Sequence, residues 1–272
     1  MKVYAISVVK NEDDIIENAI KSACKWADKV ILYDNGSTDK TWEIINDYAD
    51  SVIIPFKSDT KPYSDSLRNE IYNSFKHELS DTDWWAIQDA DELYMENPRE
   101  FVKSVDRYSH VVNSRKINFY IPKEELINKE QEISSNFNLD NYKLCDNWAW
   151  SEIRLFRNRK KLAWKNNNNW PKFIGVSHPN QINISHFPLR TIAQIKKKFE
   201  EKKEINKLNS LMFAHIRNIA NWYDLIPNSD ELLKIDGNFH EVFKNVSIKN
   251  NLNSQGLKGR IKWYLHRLGL LP

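Results

Sequence analysis

The sequence predicts an α/β fold with a mostly parallel central sheet flanked by helices and a helical C-terminal extension. The main observation is that short apolar runs alternate with amphipathic helical segments, giving four strands within about the first 90 residues. The apolar runs are continuous, as is typical of parallel strands buried on both faces. Polar residues that suit turns and helix caps follow the runs. This βαβαβαβ order implies right-handed crossovers.

The elements of the first part of the chain follow from hydrophobic periodicity. Strands are predicted over 3–9, 29–33 and 51–56, with a fourth strand that begins at Trp84. Helices are predicted over about 15–26, about 42–48 and from about 64, because apolar residues recur three or four positions apart. Cys24 falls within the apolar pattern of the first helix, so we predict that it belongs to the core.

The pattern changes after residue 100. A strand is predicted over 111–121, and residues 122–147 are predicted to be a long polar loop or partly disordered. Short strands of a mixed sheet are predicted over 153–156, 173–176 and 182–187, with a turn at 166–169. A charged helix over 191–208 begins the helical extension. We therefore place domain boundaries at 1–190 and 191–272, and divide the first domain into 1–100 and 101–190.

Composition limits the class of protein. The chain has 272 residues, a net charge of +3 and 12% aromatic residues, which favours a packed protein without a nucleic-acid partner. Two cysteines provide neither a disulfide framework nor a metal cluster, so we expect a reducing compartment. The chain begins in a strand-like run, and no stretch approaches about 18 apolar residues. We expect no signal peptide and a cytoplasmic location.

The most informative segment begins at Trp84, where an apolar run stops at two aspartates, Asp89 and Asp91, with Glu92 behind them. Ligands of open α/β sheets bind outside the carboxyl ends of the strands. Carboxylates at this position can hold a hard divalent cation, and the cation can hold a diphosphate. The alternative is a strand followed by an acidic turn, and the motif alone leaves both interpretations open.

Four short motifs occur in an order that resembles glycosyltransferase family 2, whose members have a GT-A fold. They are SVVKNE at 7–12, ILYDNGSTD at 31–39, LRN at 67–69 and DADE at 89–92. The resemblance makes 1–190 a GT-A catalytic domain, with 1–100 as its nucleotide-sugar-binding half and 101–190 as its acceptor half. It implies metal-dependent transfer of a sugar from a nucleotide-sugar donor to a glycan or lipid-linked hydroxyl. Inversion, and a setting in surface polysaccharide or glycoconjugate biosynthesis, are also implied.

Residues on the donor side follow from the same motifs. By resemblance, the donor-binding residues are Val8, Glu12, Asp34, Arg68, Asp89 and Arg190. Asp34 can accept hydrogen bonds from a nucleobase or ribose, or it can cap the turn that it begins. Glu12 can contact the ligand or cap the first helix. Arg68 can donate to the diphosphate or remain a solvated helix residue.

The resemblance also implies a metal site. Asp91 is predicted to coordinate the metal and to act in catalysis, while Asp89 is predicted to bind ribose or metal. The cation would be Mn²⁺ or Mg²⁺, since both accept oxygen ligands, and it would neutralise charge on the departing nucleoside diphosphate. His186, at the end of a predicted strand, resembles the third metal ligand of many GT-A enzymes, and Arg190 could contact phosphate. A strand-end histidine without a ligand is the alternative.

The catalytic base is the least determined role. An inverting transfer needs a group within hydrogen-bonding reach of the acceptor hydroxyl. No Glu-Asp pair follows the acidic motif at the place where many family members have one, so Glu152 is the predicted base, with Asp146 and Glu92 as weaker candidates. Glu152 could equally be a structural partner of Arg154 or Arg157.

The acceptor side has two weaker candidates. Trp150 lies among aromatic residues that could stack on a sugar, two positions before the predicted base. His178 is the second candidate and is also the alternative to His186 as a metal-binding imidazole, although Pro179 follows it where related sequences often carry an acid. Both are predicted acceptor contacts.

Other interpretations remain open. A sugar-nucleotide nucleotidyltransferase would normally need a Gly-rich loop after strand one, where this chain has Lys10-Asn11-Glu12. A degenerate transferase that only binds its ligand is the second alternative, and the intact Asp89 and Asp91 argue against it. A basic C-terminal helix could lie on the inner face of a membrane or dock on its own domain. Its apolar and basic residues include Arg260, Lys262, Trp263, Tyr264, Leu265 and Arg267.

Overall fold

The protein is a mixed α/β structure with mostly parallel central strands flanked by helices, which confirms the predicted fold class. The computed structural model describes residues 1–62, 64–107, 109–128, 137–159, 162, 164–166, 168–171, 176–208, 218–235, 239–248, 261, 264–265, 268 and 270. Contacts divide the chain into two compact units. Unit 1 comprises Met1–Lys116, Trp150–Ser185 and Ile248–Pro272, and unit 2 comprises Ile117–Ala149 and His186–Ser247. The domain boundaries at residues 100 and 190 stay predictions.

Strands and α-helices are numbered in chain order. The strands are β1 Val3–Val9, β2 Lys29–Asp34, β3 Ile53–Ser58, β4 Trp84–Ile87, β5 Glu92–Tyr94, β6 Val111–Tyr120, β7 Leu144–Cys145, β8 Trp148–Ala149, β9 Ile153–Arg157, β10 Ile182–His186, β11 Leu233–Lys234 and β12 Ser247–Ile248. The α-helices are α1 Ile16–Ala23, α2 Thr41–Asp47, α3 Arg68–Phe75, α4 Pro98–Lys103, α5 Lys123–Asn128, α6 Ile192–Leu208 and α7 Phe239–Asn245. None of these helices is both long enough and apolar enough to span a bilayer.

Parallel pairing in unit 1 brings several strand ends to one edge of the sheet. Strands β3, β2, β1 and β4 lie side by side and parallel. Val9 pairs with Asp34 at the ends of β1 and β2, and Ile6 pairs with Ile87 at the end of β4. Strand β9 pairs antiparallel with β4 on its other side. The acidic motif therefore leaves the sheet at the edge where β1 and β2 also end.

Buried aromatic residues hold β4 in place. Trp84 and Trp85 are completely buried, and the ring of Trp85 meets that of Tyr4 edge-on at 5.7 Å between centroids. The indole nitrogen of Trp85 donates a 2.9 Å hydrogen bond to Oδ1 of Asn158. The guanidinium of Arg157 lies 4.5 Å from the ring centroid of Trp84. This packing stabilises the strand from which the acidic motif projects.

The predicted long loop at 122–147 is wrong in part. Residues Lys123–Asn128 form α5, and Leu144–Cys145 form β7, which pairs with the end of β6. Within unit 2, the amide of Lys123 donates a 3.0 Å hydrogen bond to the carbonyl of Pro227, and Leu126 is buried. These contacts are distant in sequence, so the local composition did not reveal them.

Other sequence predictions have mixed outcomes. Helix α3 is shorter than predicted, because the 3₁₀ turns Asp65–Leu67 and Lys76–Glu78 flank it. The strand predicted at 173–176 and the turn predicted at 166–169 lie partly outside the described residues, as does most of the basic tail.

Cys24 is exposed, so its predicted core position is wrong. Helix α1 ends at Ala23, and its buried stripe consists of Ile16, Ala19, Ile20 and Ala23. Because successive helical residues are about 100° apart, the position after Ala23 turns away from the stripe.

Asp83, just before β4, provides a test of acid stability. Its carboxylate accepts 2.7 Å hydrogen bonds from the amides of Lys2 and Ser80 and is buried. Burial raises the pKa of Asp83, but these donors outweigh burial and lower the pKa below 3.8. The stabilisation is therefore complete above the unfolded pKa of about 3.9 and is lost as the pH falls towards the folded pKa.

We expect Asp83→Asn to lower the free energy of unfolding by about 1–3 kcal/mol near neutral pH. The difference from the wild type should shrink below about pH 4, because the wild-type carboxyl then becomes protonated. Urea denaturation across this pH range measures both values. Asp81→Asn, at an exposed neighbouring position, is the control. A difference that stayed constant down to about pH 2 would contradict this account.

Candidate active site at the carboxyl ends of the strands

The loops after β1 and β2 are joined by a short network of hydrogen bonds. The amide of Asn11 donates to the hydroxyl of Ser37 at 2.9 Å, and the amide of Thr38 donates to Oδ1 of Asn11 at the same distance. Asn11 has φ 55°, a left-handed conformation that asparagine tolerates. Gly36 has φ 71°, and a Cβ there would lie 2.7 Å from Cγ2 of Thr60. The edge of the site therefore has a defined backbone shape.

Asp34 is engaged by its own turn. Its carboxylate is buried and accepts hydrogen bonds from the hydroxyl of Ser58 at 2.7 Å and the amide of Ser37 at 3.2 Å. The hydroxyl of Ser37 also donates to it. This is the capping role that the sequence left open. Contact of Asp34 with a nucleobase or ribose stays a prediction.

Val8 and Glu12 lie on either side of the end of β1. Val8 is half-buried and pairs with Tyr33 of β2. The amide of Glu12 donates to the hydroxyl of Thr41 at 2.8 Å, and its carbonyl accepts from the amide of Ile16 at the same distance. The backbone of Glu12 therefore helps to start α1. Donor contacts from both residues stay predictions.

Asp89 is held from two sides by arginine. Nη2 of Arg68 lies 2.7 Å from Oδ1 of Asp89, and Nη2 of Arg154 lies 3.1 Å from Oδ2. Arg68 is buried at the start of α3, and Arg154 is buried in β9. Both carboxylate oxygens of Asp89 consequently contact a cation that belongs to the protein itself.

The charge of Asp89 follows from these contacts. Burial raises the pKa of its carboxyl, but the positive charges of Arg68, Arg154 and Lys116 outweigh burial and lower it to about 2. The negative charge of Asp91 acts in the opposite direction. Asp89 is therefore ionised at neutral pH.

Glu92, which the sequence offered only as a weaker candidate for the base, is a component of the site. It begins β5, is only 1% exposed, and its Oε1 lies 2.5 Å from Nη2 of Arg154 and 3.0 Å from Nζ of Lys116. Its position directly after two aspartates was the available signal. That signal did not show that Glu92 turns into the protein.

Glu152 contacts the same two cations. Its Oε1 lies 3.0 Å from Nη2 of Arg154 and also forms an ion pair with Nζ of Lys116. Pairing with Arg154 is one of the structural alternatives that the sequence left open, whereas the contact with Lys116 was not predicted. Burial raises the pKa of Glu152, but Arg154 and Lys116 outweigh burial and lower it. Glu152 is therefore ionised while it is paired in this way.

These contacts define the six-charge cluster, in which three carboxylates balance three cations. Its members are Arg68, Asp89, Glu92, Lys116, Glu152 and Arg154, and all of them belong to unit 1. Burial lowers the pKa of the Arg154 guanidinium, but its three acidic neighbours raise it well above the ordinary value. Removing one partner from a buried ion pair typically destabilises a protein by about 3–5 kcal/mol. The three negative and three positive charges of the cluster therefore sum to zero.

The acceptor-side candidates lie in different surroundings. The backbone of Trp150 pairs with that of Lys116 through hydrogen bonds of 2.7 and 2.8 Å, and its side chain is 43% exposed. His178 is buried, with Nδ1 3.4 Å from Oδ2 of Asp106 and its ring edge-on to that of Phe101. Trp150 has a surface that a sugar could stack on. Both acceptor roles stay predictions.

His186 and Arg190 belong to unit 2. Nδ1 of His186 lies 2.6 Å from Oδ1 of Asn118, so this ring nitrogen already has a partner. Arg190 is buried, and its Nη1 donates a 2.8 Å hydrogen bond to the carbonyl of Phe187. Metal coordination by His186 and phosphate contact by Arg190 stay predictions.

The acidic motif suits a divalent cation in its chemistry. Carboxylate oxygens are the ligands that Mn²⁺ and Mg²⁺ prefer. However, no group of three or more His, Cys, Asp or Glu residues is arranged to hold a metal in the part of the chain that the structure describes. Asp89 is instead paired with arginine through both oxygens. Each carboxylate oxygen has a second lone pair, so a metal bound by Asp89 would either share these oxygens with the two arginines or displace one of them.

Solved structures show low similarity to this chain. Among solved structures, the chain is similar to S. aureus TarS 1-349, with 12% identity, a TM-score of 0.38, and coverage of 79% of this chain and 68% of that one. The same protein in complex with UDP gives 16% identity, a TM-score of 0.32 and coverage of 43% and 35%.

A mannosyltransferase, PcManGT from Pyrobaculum calidifontis in complex with GDP-Man and Mn²⁺, gives 12% identity, a TM-score of 0.42 and coverage of 75% and 61%. This chain therefore spans 35% and 61% of the two ligand-bound chains. Similarity at this level says nothing about substrate. No curated protein gave a significant match. The family model described as glycosyl transferase family 2 matches residues 4–179, which is more than half of the sequence, and the chain belongs to this family.

Proposed function

We propose that the protein transfers a sugar from a nucleotide-diphosphate sugar to a hydroxyl group of a glycan or lipid-linked acceptor, with inversion. Family membership supports the reaction class. The observation that carries the proposal is the position of Asp89 and Asp91, directly after β4 at the edge where β1 and β2 end. This edge is where open α/β sheets bind their ligands. The family suggests a setting in surface polysaccharide or glycoconjugate biosynthesis in the cytoplasm.

The donor side of the reaction requires compensation of a diphosphate charge. Arg68 is placed by α3 beside Asp89, and guanidinium groups bind phosphate oxygens well. A bound Mn²⁺ or Mg²⁺ would neutralise charge on the departing nucleoside diphosphate, with Asp91 as the predicted ligand. Asp34 and the fixed turn at Gly36 would receive the nucleoside. UDP and GDP-Man, which the solved relatives bind, are the first nucleotides to test.

The acceptor side requires removal of a proton from the attacking hydroxyl. Glu152 is ionised and therefore able to accept a proton, but its two cations make it a weak base. Its action as the base would need a looser contact with Lys116 or Arg154 in the donor complex. Trp150, two positions earlier and partly exposed, would offer a face for the acceptor sugar.

Two other functions make different predictions for the same assay. A nucleotidyltransferase would exchange pyrophosphate with a nucleotide sugar, whereas a transferase would release nucleoside diphosphate. A binding module would bind the nucleotide sugar without turnover, and the firm pairing of Glu152 is the observation that keeps this second function open.

A donor-hydrolysis screen over a panel of nucleotide sugars, with and without Mn²⁺, tests the proposal. We expect slow release of free sugar and nucleoside diphosphate from one donor, faster when Mn²⁺ is present. A thermal shift with nucleoside diphosphate and Mn²⁺ measures binding separately. If no nucleotide shifted the unfolding temperature, both functions that use a donor would be contradicted.

A further inference from the structure

One nitrogen atom of Arg154 connects the two sides of the six-charge cluster. Nη2 lies 3.1 Å from Asp89, the predicted donor-side carboxylate, and 3.0 Å from Glu152, the predicted base. The same nitrogen lies 2.5 Å from Glu92. The two carboxylates predicted to serve the donor and the acceptor therefore share contact with a single guanidinium group.

Three acceptors compete for this nitrogen. Nη2 carries two hydrogens, so it cannot donate a full hydrogen bond to all three carboxylates at once. Glu92 has the shortest contact and is only 1% exposed, as is Arg154 itself. Asp89 and Glu152 are more exposed, with 24% and 25% of their side chains accessible. Glu92 is thus the most deeply buried and closest partner of Arg154, whereas Asp89 and Glu152 are the partners that solvent and ligands can reach.

Burial limits what Glu92 and Arg154 can do. Side chains with almost no exposed surface are poorly placed to contact a sugar or a diphosphate directly. A buried guanidinium needs a buried counter-charge, because an unpaired charge in the interior is costly. Glu92 supplies that counter-charge. If Asp89 or Glu152 moved to contact a ligand, Arg154 would still be paired with Glu92.

We propose that Arg154 is a positioning residue that sets the placement of Asp89 and Glu152, and that Glu92 fixes Arg154 in the orientation required. This inference rests on the proposed glycosyl transfer. Arg68 has a different part, since it contacts Asp89 alone among the three carboxylates in the ion pairs of the described residues. Without Glu92, Arg154 would form closer ion pairs with Asp89 and Glu152. Both carboxylates would then shift from the positions that the reaction requires.

Steady-state kinetics of Glu92→Gln and Arg154→Met test the proposal, measured as Mn²⁺-dependent hydrolysis of the nucleotide sugar that the donor screen identifies. We expect kcat to fall about 100-fold in each, as is typical when reacting groups are displaced by about 1 Å. The dissociation constant for the nucleoside diphosphate should rise by less than about tenfold, since Asp89 is one of several donor-side residues and the others are untouched. Arg154→Lys keeps a positive charge and should recover part of the lost kcat.

Glu78→Gln is the matched control. Glu78 pairs with Lys29 at 2.6 Å and with the hydroxyl of Tyr4 at 2.8 Å, near the amino ends of β1 and β2. The same substitution there should lower the unfolding temperature and leave kcat unchanged. If Glu78→Gln lowered kcat as much as Glu92→Gln did, a general loss of stability would explain the result and the proposal would fail.

The remaining outcomes are also decisive. Unchanged kcat in folded Glu92→Gln and Arg154→Met would overturn the positioning role. A loss confined to nucleotide binding, with kcat unchanged, would overturn it too, because the placement of Glu152 would then not depend on Arg154. Should Arg154→Met fail to fold, Arg154→Lys and Glu92→Gln still provide the comparison. Absence of nucleotide binding by the wild type would defeat the proposed function itself, and this inference with it.

Discussion

Replacing Asp91 with alanine is expected to abolish sugar transfer. Asp91 follows β4 by four positions, at the edge where β1 and β2 also end, and its side chain is partly exposed. Its negative charge acts on the pKa of Asp89, which shows that the two carboxylates share one electrostatic environment. If Asp91 holds the divalent cation, its loss should lower kcat by about 1,000-fold or more.

Two measurements separate a metal role from a structural one. Titration of Mn²⁺ in the presence of nucleoside diphosphate should show a large loss of affinity in Asp91→Ala and Asp91→Asn. Asp81→Ala, at an exposed position before β4, should behave like the wild type. Full turnover by the Asp91 variants would disprove the metal assignment, and so would an unchanged Mn²⁺ affinity.

The second large effect is expected for Glu152→Gln. Glutamine keeps the size of the side chain but cannot accept the acceptor's proton, so transfer should fall by about 100- to 10,000-fold if Glu152 is the base. Binding of the nucleoside diphosphate should persist, because Arg68 and Asp91 are untouched. Unchanged turnover at saturating donor would remove Glu152 from this role.

An anionic nucleophile distinguishes loss of the base from loss of the fold. Azide has no proton to give up, so its attack on the sugar does not need a base. Glu152→Gln should therefore form glycosyl azide about as fast as the wild type while it fails to use the natural acceptor. Equal losses in both reactions would indicate that Glu152 acts by holding Lys116 and Arg154 instead.

Predictions from local sequence succeeded where a property depends on neighbouring residues. Strand β4 begins at Trp84, and the helical stripe of α1 contains Ile16, Ala19 and Ile20, as periodicity indicates. Hydrophobic periodicity reports which face of an element is buried, and that is largely a local property. The same reasoning failed for Cys24, because the position after Ala23 turns away from the buried stripe although it is apolar.

The six-charge cluster could not be predicted in the same way. Its ion pairs join Arg68 to Asp89 across 21 positions, and Glu92 to Arg154 across 62. The first pair depends on how α3 packs beside the end of β4, and the second on the register at which β9 passes beside β4. The charge of a residue in the sequence does not say whether its partner is water, substrate or another buried charge.

For this protein, the order of apolar runs and the motifs at Asp34, Arg68 and Asp89 were enough to identify the sheet, its family and the edge where a donor should bind. Only the tertiary structure showed that Asp89 and Glu152 share Arg154, and that Glu92 is buried behind them. The physical reason is that the positions of strands and helices along the chain, and their buried faces, follow from the local hydrophobic pattern. Charge pairing is decided by packing between residues that are distant in the chain.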